Sequence, residues 1–363
     1  MRLLNRISYI YPISSTYSFN IVAANHIKYL KYKYIADNEN IEIEEIDWYQ
    51  LSNIDWNEKR SILIHPFLYQ FSSYESFIQN SRNFAKLLAT KQKIGGFDVA
   101  DSTKISKIAV DLVNKIDLMM VPSNFAKDAY IKSGVTIPVE VLPHGIPDEF
   151  LNDDPIGTNN DDIAILQKLK EKGNILVLYF LTHSSHRKGA DLVKEVMKRV
   201  QSKFGKVHLV VKGRNLPYFS GIETTYINSW LDNNDLRLLY DVCDICISPS
   251  RGGGFELNAL EAISRGVVTL TTGEGCFTDL MDYFIGINVG RYVCPLPGNS
   301  IHVGVGPECD INDFERKLED VIVRLDYWKK IFRDRSKEVR EKFTWRESAR
   351  ILDQYLKNHG FIE

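Results

Sequence analysis

Ser248-Pro249-Ser250-Arg251-Gly252-Gly253-Gly254-Phe255-Glu256-Leu257-Asn258-Ala259-Leu260-Glu261-Ala262 stands between an apolar run and an amphipathic one. The residues before it, Asp241-Val242-Cys243-Asp244-Ile245-Cys246-Ile247-Ser248, read as a buried strand. Asn258–Arg265 reads as a helix ended by Gly266, and Val267–Thr271 as the next strand. Three consecutive glycines remove every Cβ from the connecting turn, so backbone N–H groups can approach a bound anion closely. The helix start adds a partial positive charge, worth roughly 0.3–1 kcal/mol to an exposed anion and more in a dry site. The same glycines also fit a plain tight turn. Glu261 lies one helical turn in, where a carboxylate can accept the two hydroxyl donors of a ribose diol. With Leu257, Leu260 and Ile263 on the buried face, a solvent-facing carboxylate is the alternative.

Outward from this unit the strand–helix alternation recurs, which predicts parallel sheets covered by helices. In the second half, Asn174–Leu181, Val207–Lys212 and Ile245–Pro249 read as strands, and Ala190–Phe204 and Asp235–Tyr240 as helices. In the first half the strands are Arg6–Tyr11, Ile41–Ile46, Ser61–His65, Leu118–Pro122 and Val139–Leu142. The helices are Asn20–Tyr32, Ile105–Ile116 and Ser123–Ser133, the last with Ser123 as N-cap and Gly134 past its end. The polar, turn-rich stretch Leu151–Gly173 reads as the connection, its acidic pairs as solvated linker. Phe314, Leu318, Val321, Ile322, Leu325 and Trp328 form one apolar helical face near the C-terminus; Trp345, Ala349, Leu352, Tyr355 and Leu356 form another. The expectation is two Rossmann-like α/β domains facing across a cleft, with ligands at the carboxyl ends of strands.

Phe180-Leu181-Thr182-His183-Ser184-Ser185-His186-Arg187-Lys188-Gly189 also links a strand to a helix. Lys188 supplies a compact charge and Arg187 a fork that fits phosphate oxygens; His183 and His186 are further donors. Val139-Glu140-Val141-Leu142-Pro143-His144-Gly145-Ile146-Pro147 precedes the connection. Gly95-Gly96-Phe97-Asp98-Val99-Ala100-Asp101-Ser102 follows a strand, with Asp101 as a possible N-cap of a Ser102–Asn114 helix. His65, ending an apolar strand before Pro66, reads as a structural histidine.

The 363 residues carry a formal net charge of −2, so general attraction to nucleic-acid phosphates is not expected. No stretch reaches the roughly 18 apolar residues of a membrane span, and the first residues lack signal-peptide features. A cytoplasmic protein is expected, with peripheral membrane contact left open. The five cysteines form no secreted disulfide framework, and the lone Cys243–Cys246 pair fits small core residues better than a metal site.

Taken in order, these segments resemble glycosyltransferase family 4, the "group 1" transferases of GT-B fold. The resemblance runs from about residue 95 to the C-terminus. Val121-Pro122-Ser123-Asn124-Phe125 and Val141–Pro147 are similar to the end of the family's N-domain, and Arg187-Lys188-Gly189 to its phosphate-binding turn. Ser248–Ala262 with Arg265–Leu270 is similar to its donor-binding core. Phe343-Thr344-Trp345-Arg346-Glu347 is similar to the motif opening a last helix that crosses back to the N-domain. The implied organisation is an acceptor-side domain over 1–150, a linker over 151–173, a nucleotide-sugar-binding domain over 174–335 and a returning helix over 336–363.

The resemblance implies a retaining, metal-independent hexosyltransferase without a cofactor. Its donor would be a nucleotide sugar such as a UDP- or GDP-sugar, and its acceptor a glycan, lipid-linked or small molecule. Lys188 is implied at the donor diphosphate, Gly252, Gly253, Gly254, Phe255 and Leu257 at the phosphate and sugar, and Glu261 at the ribose. Asp98 or Asp101 would orient the acceptor hydroxyl or take its proton. The family pairs two glutamates seven residues apart; here the second is Glu261 and the first position is Gly253, with Glu256 displaced by three as the compensating carboxylate. The family arginine six residues before the lysine is Thr182 here, with Arg187 the substitute. The loop Tyr11–Tyr17 lacks the family's glycines. These departures leave two alternatives: a nucleotide-sugar-binding relative acting as a partner subunit, and a GT-B sugar-nucleotide epimerase.

Overall fold

The computed structural model describes residues 5–13, 18–48, 58–71, 74–182, 184–213 and 219–363. Contacts divide the chain into two units: Met1–Gly145 with Pro297–Gly304 and Trp345–Glu363, and Ile146–Leu296 with Val305–Thr344. The first unit holds six parallel strands, β1 (Asn5–Tyr11), β2 (Ile41–Asp47), β3 (Ser61–Ile64), β4 (Ile94–Phe97), β5 (Leu118–Val121) and β6 (Val139–Val141), in the order β2-β1-β3-β4-β5-β6. β3, β4 and β5 are buried at every position, as strands covered on both faces must be. The helices before and between the later strands are α1 (Ser18–Ala36), α2 (Tyr74–Ala89), α3 (Lys107–Val113) and α4 (Asn124–Ser133).

Local chemistry explains the ends of α4: Ser123 Oγ accepts from Ala126 N–H at 3.2 Å, and Gly134 closes the helix at φ +108°. Two expectations are corrected nearby. Gly95 and Gly96 do not follow a strand but lie inside β4, where a Cβ on Gly95 would come within 2.8 Å of Leu63 and one on Gly96 within 2.9 Å of the Met119 sulfur. The next helix begins at Lys107, not near Asp101, because Ser106 takes the cap by accepting from Ala109 N–H.

The second unit contains α5 (Asp161–Glu171), β7 (Ile175–Leu181), α6 (Ala190–Phe204), β8 (Val207–Gly213), β9 (Thr224–Ile227), α7 (Asn233–Val242), β10 (Ile245–Ser248), α8 (Leu257–Ser264), β11 (Val268–Thr272) and β12 (Ile285–Ile287). Its sheet is parallel in the order β12-β11-β10-β7-β8-β9. An antiparallel pair, β13 (Val289–Val293) and β14 (Gly306–Cys309), and two helices, α9 (Ile311–Val323) and α10 (Leu325–Lys342), complete it. The chain leaves β7 toward β8 on one side, whereas β10 joins β7 on the other. That reversal of winding is the place where an open α/β sheet leaves a crevice at its carboxyl edge.

The second half of the stretch read as linker is α5. Asn160 caps it by accepting from Asp162 N–H at 3.0 Å, and Ile163 and Leu166 are fully buried. Acidic residues in its first turn and lysines in its last suit the helix dipole, so the polarity that suggests a linker also caps a short helix. The apolar face from Phe314 to Trp328 spans two helices, since the chain breaks at Arg324 between α9 and α10.

Two later segments belong to the first unit. Residues 297–304 run along the start of α3: Ser106 N–H donates to Ile301 O at 2.8 Å, Val303 N–H to Lys104 O at 3.1 Å and Gly304 N–H to Ser102 Oγ at 3.0 Å. The last helix, α11 (Trp345–Asn358), buries Trp345, Ala349, Leu352 and Leu356 and packs along α1. Tyr355 donates its hydroxyl to Val141 O at 2.9 Å. Among the described residues no helix is long and apolar enough to cross a membrane.

Candidate active site

The reversal point of the second sheet is flanked by two loops, 182–189 after β7 and 249–256 after β10. They are bonded to each other. Arg251 N–H donates to Arg187 O at 2.7 Å, and Arg187 Nη1 donates to Gly252 O at 2.9 Å. Ser250 Oγ bridges Arg187 O and Gly252 O at 3.3 and 2.9 Å. Gly189 allows this approach: its φ is +71°, and a Cβ there would lie 2.3 Å from Pro249 O. Arg187 is thus a buried clamp between the loops.

Arg251 joins the candidate site, although its residue type alone assigns it no role. It is 1% exposed, and its guanidinium forks onto Asp191 at 2.7 and 2.6 Å, onto Glu308 of β14 at 2.6 Å and onto His186 O at 2.6 Å. Burial alone would raise the carboxyls of Asp191 and Glu308. Bonds from Arg251, preceded at Glu308 by one from Arg291, hold both below the usual carboxylate range. The signal in sequence was faint: an arginine between a buried strand and three glycines, its partners 60 and 57 residues away.

On this frame Lys188 reaches Glu256, Nζ to Oε2, at 2.5 Å. Glu256 is 5% exposed, and its Oε1 has no hydrogen-bond partner among the described residues. Gly252, Gly253 and Gly254 are buried, and Phe255 and Leu257 half-buried. A Cβ on Gly253 would stand 3.0 Å from Glu256 Oε1 and 3.6 Å from Arg187 Nη1, so any side chain at this position would press on the glutamate carboxylate. Neither α6 at Gly189 nor α8 at Glu256 has a side-chain cap, whereas α3, α4, α5, α7 and α9 do. At α6, however, the Asp191 carboxylate already accepts from its own N–H and from that of Leu192, so of these two starts α8 is the one whose partial positive charge is left for a ligand.

Glu261 does not face solvent. It is 6% exposed, accepts from the Tyr240 hydroxyl at 2.8 Å, and burial pushes its carboxyl up to about 7. Burial, and then the charges of Glu256 and Glu261, also push the Cys246 thiol up. Cys243 and Cys246 are buried free thiols. No group of three or more His, Cys, Asp or Glu side chains that could hold a metal occurs among the described residues.

The first unit carries the remaining candidates. Asp98 is 2% exposed and accepts from Leu68 N–H at 2.5 Å and Val99 N–H at 2.7 Å, and burial raises its carboxyl to about 7. Asp101 is half-buried, its N–H donating to His302 Nδ1 at 3.3 Å. His65 is buried beside Phe97 O at 3.2 Å, and burial lowers it to about 4. His183 and Ser14–Tyr17 of the loop after β1 lie outside the described residues.

Comparison with known proteins bears on this geometry. Residues 175–287 match the family model for "Glycosyl transferases group 1". The chain is 29% identical over 336 residues to "Uncharacterized protein 356" of Sulfolobus islandicus rod-shaped virus 1, covering 89% of this chain and 90% of that one. It is 27% identical over 314 residues to "Putative glycosyltransferase 45" of Sulfolobus islandicus filamentous virus, covering 82% and 84%. Anabaena HepE, solved in complex with UDP and glucose, superposes with a TM-score of 0.68 at 14% identity, covering 98% of this chain and all of that one. The matched residues span β7 to β12, the sheet whose reversal point carries Lys188 and the glycine loop. The chain has the GT-B fold, and its residues 175–287 are similar to the group 1 glycosyltransferases.

Proposed function

We propose that the chain is a retaining, metal-independent transferase of the family 4 type, moving a hexosyl group from a nucleoside-diphosphate sugar to an acceptor hydroxyl. The observation that carries this reading is the joining of Lys188, the Gly252–Gly254 loop and the uncapped start of α8 at one reversal point. HepE, of the same fold, is solved with UDP and glucose. Cleavage of the glycosyl–phosphate bond builds charge on the departing diphosphate. Lys188 and the start of α8 are positive groups in place before that charge develops. One preorganised donor of this kind contributes roughly 2.7–4 kcal/mol to the transition state, so the leaving group needs no metal ion or cofactor. Glu261, held by Tyr240, suits the ribose diol. In the first unit Asp101 is the better candidate to orient the acceptor, since the Asp98 carboxylate is taken up by backbone amides.

The test is release of nucleoside diphosphate from a panel of UDP- and GDP-sugars with glycan, lipid-linked and small-molecule acceptors. We expect turnover that needs acceptor and survives a chelator, falling by 100-fold or more in Lys188→Ala, roughly the effect of losing one oxyanion donor. Chelator-abolished turnover overturns the metal-independent mechanism. Donor binding with no turnover on any acceptor would favour a partner-subunit role, and a new nucleotide sugar formed without acceptor an epimerase.

A further inference from the structure

We infer that Glu256 makes this site discriminate between the sugar-bearing donor and the nucleoside diphosphate left after transfer, holding the first and expelling the second. The inference rests on the proposed donor site and adds a selection step to it. Lys188 is not idle in the empty site: its ammonium is paired with Glu256 at 2.5 Å, and the two side chains are 15% and 3% exposed. A diphosphate arriving at Lys188 therefore meets a carboxylate already there. A free nucleoside diphosphate carries an ionised terminal oxygen, and like charges at close range in a poorly solvated place repel. In the donor that same oxygen is esterified by the sugar, so one negative charge is gone and several hydroxyl donors have come in.

Glu256 has an acceptor waiting for such a donor. Its Oε1 is buried and has no hydrogen-bond partner among the described residues, while Oε2 is committed to Lys188. A buried carboxylate oxygen left unpaired is costly, and a hydroxyl that reaches it recovers the cost. The approach to that oxygen runs past Gly253, where even a methyl group would come within 3.0 Å of Oε1. One carboxylate thus opposes the diphosphate and welcomes the sugar. After transfer the sugar is lost, the terminal oxygen is ionised again, and the Lys188–Glu256 pair can re-form as the product leaves.

Calorimetry on the full chain tests this with UDP against UDP-glucose and GDP against GDP-mannose, in the wild type, Glu256→Gln and the double variant Gly253→Glu/Glu256→Gly. Glutamine keeps the shape and removes the charge. The wild type is expected to bind one sugar-bearing member at least tenfold more tightly than its bare diphosphate, the range of a charged hydrogen bond. In Glu256→Gln the bare diphosphate should bind several-fold more tightly than in the wild type while the sugar preference shrinks toward unity. The double variant, which brings a carboxylate in from the opposite side, should regain part of that preference. If a diphosphate binds but Glu256→Gln weakens it, or leaves the preference unchanged, the inference is overturned and the donor site stands. If the wild type binds neither a nucleoside diphosphate nor its sugar-bearing counterpart, both fall.

Discussion

A carboxyl held near neutrality by its surroundings gives the site a pH signature that belongs to a single residue. Burial raises Glu261 to about 7, and the Tyr240 hydroxyl works against burial by stabilising the charged form. The ionised carboxylate is the stronger acceptor for a ribose diol. Donor affinity is therefore expected to fall as pH drops from 8 to 6, with a midpoint near 7. Tyr240→Phe removes the one bond favouring ionisation, so the midpoint should move upward, whereas Glu261→Gln should flatten the profile. Titration calorimetry across that range checks it, and a wild-type profile without a step near neutrality would remove Glu261 from the ribose. Arg251 shows why other site residues escape a reading of residues alone. Its three acceptors come from the start of α6, the preceding loop and β14, and only the fold brings them to one guanidinium.

The two loops act as one element because backbone meets backbone at Gly189. With φ at +71° and Pro249 O 2.3 Å from the place of a Cβ, alanine there meets both a strained conformation and a carbonyl that has no side-chain freedom to yield. Gly189→Ala is expected to cost more than 2 kcal/mol of stability and to cut donor binding even where the chain still folds. Denaturant unfolding and calorimetry read the two effects, and a variant with wild-type stability would show that the loops do not depend on this approach. Elements of this sort were legible where their chemistry is local. Ala190–Phe204 emerges with both ends in place, and Ser123 and Gly134 bound α4 as their residue types require. Elements whose reason lies elsewhere were not legible. The polarity of α5 conceals two core positions, Ile163 and Leu166, that have meaning only beside a partner helix. Gly95 and Gly96 signal a turn by composition yet lie within β4 because neighbouring side chains fill the space beside them. Lys188, the glycine loop and Glu261 stand out as candidates because a phosphate-binding turn is written in contiguous residues. The partners that fix their geometry are not.

At the scale of the whole molecule the two units respond to acid unequally. In the first, His26, His65 and His144 gather around Phe97 and Trp345, and burial lowers all three: His65 to about 4, His144 to about 3, His26 well below its usual value. Each binds a proton in the unfolded chain near pH 6.5 but resists it when folded, so stability drains away as pH falls from 6.5 toward 4. At pH 5 this amounts to about 2 kcal/mol per histidine. Asp98 has the reverse sign: raised to about 7, it destabilises the fold when ionised and returns a similar amount on acidification. Three groups against one leave a net loss of order 4 kcal/mol. In the second unit Glu261, also raised to about 7, favours acid, and His208, lowered by burial, opposes it. The first unit should therefore become the weaker as pH drops. Scanning calorimetry at pH 7.5 and pH 5 should show a low-temperature transition separating in acid, and hydrogen exchange should assign it to β1, β3 and α11 rather than to β7, β8 and β10. His144→Phe, which keeps an aromatic ring between Phe97 and Trp345 and has nothing to protonate, should narrow the separation. If both units lose stability together on acidification, or if the second leaves first, the histidine cluster does not govern the acid response.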